Sequence, residues 1–263
     1  MSRLAPPDRD LKTFAGLRRV IAILRSPEGC PWDRVQTHAT LRPFLIEETA
    51  EAIAALDEGD QKALSEELGD VLFNVLLHVQ LAEESGDFKM ADVISSVAEK
   101  LVRRHPHVFA DSNADTPTEV LEQWDDLKAS ERGARPTLAN IPQSLPALAY
   151  AQAVQRRVAR AGFTWESDAQ AWEALEEELG ELRRASTPED QRHELGDAVF
   201  ALANLARRLD IDAEDALRTA CRGFSRRYHA METMLDQRGI DLKTVDIDTK
   251  LALWEEAKAG GRS

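Results

Sequence analysis

The sequence predicts an all-α protein built from tandem, duplicated helical-bundle modules. Composition is the first reason: Ala, Leu, Glu and Arg, which favour helices, are abundant, while aromatic residues make up only 6% of the chain. The second reason is the absence of strand-like alternation of apolar and polar residues over any useful length. The third is that the same motifs occur in the same order in both halves of the chain.

Apolar residues recur at helical spacing in the segments that matter most. In the first half this pattern covers 41–56 and then runs from Leu64 to Val79. In the second half it covers 171–182 and then runs from Leu195 to Leu205. We therefore predict one pair of neighbouring helices in each half.

Helix-breaking residues mark the middle of the chain. Gly133 and three prolines, the last of them Pro146, fall within one short stretch, which is typical of a linker or a pair of turns. The predicted organisation is a first module over 1–132, a linker over 133–146 and a second module over 147–263.

The two halves match motif by motif. A Glu-Leu-Gly-Asp sequence occurs at 67–70 and again at 194–197, and each copy leads into an apolar helix. An arginine pair and then a tryptophan follow in both halves. Two unrelated Glu-rich helices would not also align these residues, so the order indicates an internal duplication. The matched residues are Arg103, Arg104 and Trp124 in the first half, and Arg226, Arg227 and Trp254 in the second.

Paired carboxylates on the four predicted helices form the candidate metal sites. Residues three apart share a helix face, so Glu48 projects with Glu51, and Glu67 with Asp70. If the two helices pack antiparallel, these carboxylates converge and repel each other unless a cation is bound. Hard oxygen ligands suit Mg²⁺, with Mn²⁺ as a substitute. The same reasoning applies to Glu178, Glu181, Glu194 and Asp197.

The acidic motifs allow two other interpretations. A solvated helix face is the usual role of such residues, but recurrence in both halves argues against it. Each motif also contains an interior glycine, Gly69 or Gly196, which costs about 1 kcal/mol relative to Ala. We expect close helix approach to explain these glycines. A di-iron bundle needs Glu-x-x-His pairs, and no Glu here has His three residues later.

Charge and targeting signals limit the partners. The net charge is −14, which disfavours nonspecific nucleic-acid binding but permits a polyanionic substrate held through a cation. Cys30 and Cys221 are too few for a disulfide framework. No apolar run reaches transmembrane length, and residues 1–10 lack a signal-peptide core. We therefore expect a cytoplasmic protein without a membrane or nucleic-acid partner.

The ordered motifs resemble the all-alpha nucleoside triphosphate pyrophosphohydrolases, and full-length MazG proteins in particular. Glu-Glu-x-x-Glu followed by Glu-x-x-Asp is the signature of that superfamily, and the resemblance runs from about Leu17 to Lys258. It implies a helical-bundle homodimer that converts NTPs and dNTPs to monophosphate and pyrophosphate with Mg²⁺. The other matching segments are 29–33, 36–38, 103–109, 144–148 and 162–165.

Basic and aromatic residues are candidates for substrate binding, and two further glutamates are candidates for catalysis. The planar guanidinium group of arginine suits phosphate oxygens, although an arginine pair can also belong to a solvated helix face. A tryptophan can stack on a base, although it can also serve packing alone. The resemblance implies that the eight carboxylates above are metal ligands and that Arg227 and Trp254 contact nucleotide. Glu47 and Glu177, beside these ligands, are candidates to orient or deprotonate water. The candidate substrate-binding residues are Lys100, Arg103, Arg104, Trp124, Arg226, Arg227 and Trp254.

The second half departs from the family pattern at two positions. Relatives often carry Lys where Ala174 and Gly223 stand, whereas the first half keeps Lys100. In this family, hydrolysis is usually assigned to the second module. Because the second module here lacks these two lysines, the first module is also a candidate for the active one. Two rival functions stay open: an enzyme selective for dUTP or a modified nucleotide, and a non-catalytic nucleotide sensor or partner-binding scaffold.

Overall fold

The structure, a computed structural model, describes residues 11–132 and 136–260. The chain divides into two compact units between Arg132 and Gly133. Every regular element in the described ranges is a helix, which confirms the all-α prediction. The polar stretch 1–10 and the linker residues 133–135 lie outside these ranges. The helices are α1 Phe14–Arg25, α2 Pro31–Arg34, α3 His38–Glu58, α4 Gln61–Ser85, α5 Met90–Arg104, α6 Pro106–Phe109, α7 Pro117–Arg132, α8 Ala147–Arg160, α9 Asp168–Arg184, α10 Pro188–Arg208, α11 Ala213–Arg238 and α12 Ile247–Gly260.

Helices α3 and α4 form the central hairpin of the first unit. After α3 ends, Gly59 adopts a φ of 71°, a left-handed conformation that glycine reaches without steric cost. Asp60 then caps α4 by accepting hydrogen bonds from the backbone N–H groups of Lys62 and Ala63, at 2.9 and 3.0 Å. A connection this short makes the two helices antiparallel.

Helices α9 and α10 form the corresponding hairpin of the second unit. Residues 185–187 connect them, and Thr187 caps α10 by accepting a hydrogen bond of 3.1 Å from the backbone N–H of Asp190. Pro188 opens α10 at a position where its missing N–H is not needed. The four helices predicted from apolar spacing are therefore present, as two antiparallel hairpins.

Each unit has its own hydrophobic core. Leu77 is 0% exposed and anchors the first core, where it packs with residues of α1, α3 and α4. Burying one such side chain contributes about 1.5–3 kcal/mol, so these clusters hold the hairpins in place. The core residues of the first unit are Ile21, Leu41, Leu76 and Leu77. The second unit has two clusters: Ala171, Leu175 and Leu205 on α9 and α10, and Met231, Leu235, Leu253 and Ala257 on α11 and α12.

Many residues of the predicted apolar stripes face outward. Leu68 on α4 is 54% exposed, and Leu195 on α10 is also 54% exposed. The helical spacing of apolar residues predicted both helices correctly. That spacing alone does not say which part of an apolar face packs inside its own unit. None of the described helices has the length and apolar character needed to cross a membrane.

The expectation for the two motif glycines is wrong. A Cβ atom at Gly69 or at Gly196 would meet no other heavy atom of the described chain within 4 Å. Both positions are exposed on the outer side of their helices. Close helix packing within the described part of the chain therefore does not explain these glycines, and that part offers no other reason for them.

Candidate metal and nucleotide site

The first carboxylate group lies on the α3–α4 hairpin. Glu48 comes from α3, while Glu67 and Asp70 lie one turn apart on α4. Each offers a carboxylate oxygen, and these oxygens lie within 4.8 Å of one another. Glu48 and Glu67 are half-buried and Asp70 is exposed. The antiparallel hairpin thus brings together side chains that are far apart in sequence.

The second group has the same composition. Glu178 on α9 meets Glu194 and Asp197 on α10, again with oxygens within 4.8 Å of one another, and all three side chains are half-buried. His193 approaches this group, since its Nε2 lies 3.4 Å from Oδ2 of Asp197.

Electrostatic repulsion is evident in both groups. Burial, followed by the charge of Asp70, raises the pKa of Glu48. Burial, followed by the charge of Asp197, raises the pKa of Glu178 in the same way. A bound cation would remove this repulsion by favouring the ionised carboxylates.

One predicted ligand of each unit lies outside its group. Glu51 on α3 and Glu181 on α9 are exposed and do not belong to the sets within 4.8 Å. Their charges still raise the pKa of Glu48 and of Glu178, respectively. Glu47 and Glu177, the predicted catalytic residues, are exposed next to the first ligand of each set.

The donor set fits a hard divalent cation. Three carboxylates of one group supply oxygen ligands only, as Mg²⁺ prefers, and leave further positions for water and phosphate oxygens. Helices fix the spacing of these ligands, so a metal would not need to order a loop in order to bind.

The predicted phosphate-binding arginines of the first unit already have a partner. Arg103 and Arg104 both donate hydrogen bonds to the carboxylate of Glu131 on α7. Trp124 packs beside His105 with ring centroids 5.4 Å apart. Lys100 is half-buried on α5.

The corresponding residues of the second unit are arranged differently. The guanidinium of Arg227 lies 6.0 Å from the ring centroid of Trp254, while Phe224 contacts the same ring with a centroid separation of 4.9 Å. Arg226 is exposed on α11. A side chain added at Gly223 would extend into open space, so no packing within the described chain excludes the lysine that the family pattern predicts there.

A pocket that the sequence did not predict opens beside the second carboxylate group. It has a volume of about 400 Å³ and borders Glu178, Asp197 and Ala174. Its wall includes exposed aromatic side chains and a few polar ones from α8 and α10. The helical pattern did not distinguish these residues, although Phe163 and Trp165 lie in the family-matching segment 162–165. They include Gln155, Phe163, Trp165, Phe200, Asn204 and Arg207.

Comparison with known proteins supports a common origin for nearly the whole chain. A sequence model described as the MazG nucleotide pyrophosphohydrolase domain matches residues 36–109. The chain is 43% identical over 249 residues to the nucleoside triphosphate pyrophosphohydrolase/pyrophosphatase MazG of Thermotoga maritima, covering 94% of this chain and 96% of that protein.

Two further relatives extend this result. The nucleoside triphosphate pyrophosphohydrolase of Escherichia coli is 41% identical over 251 residues, covering 92% of this chain and 95% of that protein. The uncharacterised protein YabN of Bacillus subtilis is 40% identical, covering 96% of this chain but 54% of that protein. With this extent of identity, the chain belongs to the MazG family of nucleotide pyrophosphohydrolases.

Proposed function

We propose that this protein hydrolyses nucleoside triphosphates, both NTPs and dNTPs, to the monophosphate and pyrophosphate in a Mg²⁺-dependent reaction. The observation that carries the proposal is the Glu-Glu-Asp group of each unit, whose oxygens lie within 4.8 Å of one another. Relatives named nucleoside triphosphate pyrophosphohydrolase support the substrate class. Mn²⁺ is the expected substitute, since it accepts the same oxygen donors.

The carboxylates would hold the ion in either unit. Mg²⁺ bound there would lower the pKa of a water molecule and offset charge on the phosphates. The three grouped carboxylates of each hairpin supply the ligands, and the rigid helices keep them converged. Glu51 and Glu181 stand one turn away, so we propose that a change of rotamer brings each into its set.

Cationic side chains would bind the triphosphate. Arg226 and Arg227 are exposed on α11 and carry the charge required in the second unit, with Trp254 beside Arg227. Lys100 has the corresponding role in the first unit. The guanidinium plane of an arginine matches two phosphate oxygens at once, which favours arginine over a point charge.

A carboxylate beside the ligands would activate the attacking water. We propose this role for Glu177 and Glu47, which are exposed and stand next in sequence to the ligands Glu178 and Glu48. Attack at the α-phosphorus releases pyrophosphate. Positioning and charge stabilisation would supply most of the rate enhancement, as in other phosphoryl transfers.

The experiment that tests this proposal is incubation with each NTP and dNTP, with and without Mg²⁺, followed by assay for monophosphate and pyrophosphate. Asp197→Asn and Glu67→Gln disable the second and first groups separately, so comparison of the two variants identifies the active unit. Binding of nucleotide with Mg²⁺ but without release of pyrophosphate would favour the sensor function instead.

We also propose a homodimer. Apolar side chains at i, i+3 and i+7 of α5, namely Ile94, Val97 and Leu101, are 49%, 42% and 44% exposed. Contiguous exposed apolar faces mark association surfaces, and closed two-fold dimers are the commonest soluble oligomers. Sedimentation equilibrium of the wild type and of Leu101→Asp tests this, because a charge on the face should shift the protein to monomer.

A further inference from the structure

One polar side chain in the pocket beside Glu178 has an unused hydrogen-bonding atom. Gln155 on α8 is 4% exposed and lines the pocket. Its Nε2 donates a hydrogen bond of 2.7 Å to the backbone carbonyl of Phe200. Its Oε1 is buried and has no hydrogen-bond partner among the described residues. Buried acceptors without partners are rare in folded proteins, so this atom calls for an explanation.

The orientation of this amide is fixed by its surroundings. A backbone carbonyl can only accept, so the NH₂ end of Gln155 must face Phe200. The other end of the amide is therefore a carbonyl oxygen, and any partner that this oxygen gains must be a hydrogen-bond donor.

A second amide in the same wall, that of Asn204, has its carbonyl end occupied instead of its NH₂ end. Oδ1 of Asn204 accepts hydrogen bonds from Nε and Nη2 of Arg207, at 3.1 and 2.9 Å. The same Nη2 also donates to Oγ1 of Thr164 at 3.1 Å. Asn204 thus has its carbonyl end occupied, and its NH₂ group is the end left for a ligand.

The rest of the wall suits a flat heterocycle. Phe163, Trp165 and Phe200 line the pocket and are 82%, 44% and 44% exposed, respectively. Aromatic faces of this kind stack on nucleobases and tolerate any base. A volume of about 400 Å³ holds a base and its sugar, and the pocket borders the carboxylates Glu178 and Asp197.

We infer that this pocket receives the nucleobase of the substrate and that Oε1 of Gln155 accepts an N–H from the edge of that base. The inference rests on the proposed function, because it takes a nucleoside triphosphate as the molecule held at the carboxylates. Base preference is then set by which N–H reaches Gln155, while Asn204 donates to an acceptor on the same edge.

The internal repeat limits this set of groups to the second unit. Asp197 matches Asp70, and seven residues after each stand Asn204 and Leu77. Leu77 belongs to the first core, so its position cannot donate to a base. The first unit therefore lacks the donor of the polar pair that would read the base.

Equilibrium binding of nucleotides that cannot be cleaved tests the inference. The ligands are the α,β-methylene analogues of ATP and UTP with Mg²⁺, each compared with a form whose edge N–H is methylated. Calorimetry on the wild type should show at least about tenfold weaker binding for one of the methylated forms, the loss expected of one hydrogen bond in a dry site. In Gln155→Leu that discrimination should fall to about twofold or less.

Matched variants separate recognition from stability. Gln152→Leu is the control, since Gln152 lies one turn earlier, is 1% exposed and has both amide ends bonded, to Ile211 at 2.9 Å and Ala213 at 3.2 Å. It should leave discrimination intact. Phe163→Ala changes an exposed side chain and should weaken nucleotide binding without unfolding the protein. Inorganic tripolyphosphate lacks a base, so its binding should not change in Gln155→Leu.

Three results would overturn the inference. They are equal binding of the methylated and unmethylated forms by the wild type, no binding of either form, and equal weakening of tripolyphosphate and nucleotide by Gln155→Leu. Turnover of natural nucleotides is measured separately. If the protein distinguishes methylated from unmethylated nucleotides but releases no pyrophosphate, the proposed reaction is wrong and the base pocket stands. If it releases pyrophosphate but does not distinguish the two forms, the reaction stands and the base pocket is wrong.

Discussion

The Nε–H of Arg103 donates a hydrogen bond of 2.8 Å to Oε1 of Glu131 in the first unit. Arg104 also donates to this carboxylate, from Nε to Oε2 at 3.2 Å. Hydrogen bonds from Arg104, and then from Arg103, lower the pKa of Glu131 to about 2. An arginine pair expected to bind phosphate is thus bound to a carboxylate of its own unit.

Glu131→Gln should therefore improve anion binding by the first unit. In a chain whose second group is disabled by Asp197→Asn, removal of the competing carboxylate should tighten tripolyphosphate binding by about threefold to fivefold, as expected for a partly exposed ion pair. Calorimetry measures the change. Glu99→Gln, an exposed glutamate on α5, is the matched control. Equal affinities in the two variants would mean that these arginines do not bind phosphate.

The same ion pair predicts a pH-dependent contribution to stability. The pKa of Glu131 falls from an ordinary value of 4.5 to about 2 in the folded protein, so its contribution is present above the unfolded value and is lost as pH falls through the folded one. The difference in unfolding free energy between the wild type and Glu131→Gln should shrink from about pH 4.5 toward about pH 2. Urea unfolding followed by circular dichroism measures it, and a constant difference would contradict the assignment.

Local rules predicted the hairpins and their carboxylates. Glu67 and Asp70 share a face because of the helical period alone, and the short connection through Gly59 and Asp60 brings Glu48 from the neighbouring helix to meet them. The duplication then repeats the arrangement in the second unit. These are properties of a few neighbouring residues, which is why sequence was sufficient.

Contacts between distant helices were beyond sequence reasoning. Glu131 meets Arg103 across 28 residues, and neither helix pattern records that pairing. Gln155 is a polar residue in an amphipathic helix, and only the packing of Phe200 against it shows that one end of its amide is used. Burial of Leu77 and exposure of Leu72 likewise depend on which neighbours each side of α4 receives.

Removal of one carboxylate from the second group should stabilise the metal-free protein. Burial and then Asp197 raise the pKa of Glu178, so its charge opposes folding once pH rises through that value, and the opposition is absent at low pH. At neutral pH, Glu178→Gln should raise the melting temperature in EDTA by about 1–3 °C.

Added Mg²⁺ should act in the opposite direction and favour the stability of the wild type over that of Glu178→Gln. The wild type should gain stability as Mg²⁺ binds the folded state, and Glu178→Gln should gain less because a ligand is missing. Glu176→Gln, an exposed neighbour on α9, should behave as the wild type in both conditions. Identical Mg²⁺-induced shifts in all three proteins, measured by calorimetric melting, would be inconsistent with an ion at this group.

The two sides of α4 should differ in what they contribute to stability. Leu77 is 0% exposed and Leu72 is 38% exposed, so Leu77→Ala leaves a cavity while Leu72→Ala mainly trims a surface. We expect a loss of unfolding free energy of about 2–5 kcal/mol for Leu77→Ala and less than about 1 kcal/mol for Leu72→Ala, measured by urea unfolding at low protein concentration.

If the outward face of α4 also contributes to the proposed dimer, the loss for Leu72→Ala should grow with protein concentration, because association stabilises the folded state by mass action. The loss for Leu77→Ala should not change with concentration, and equal losses for both variants at every concentration would contradict this division of α4.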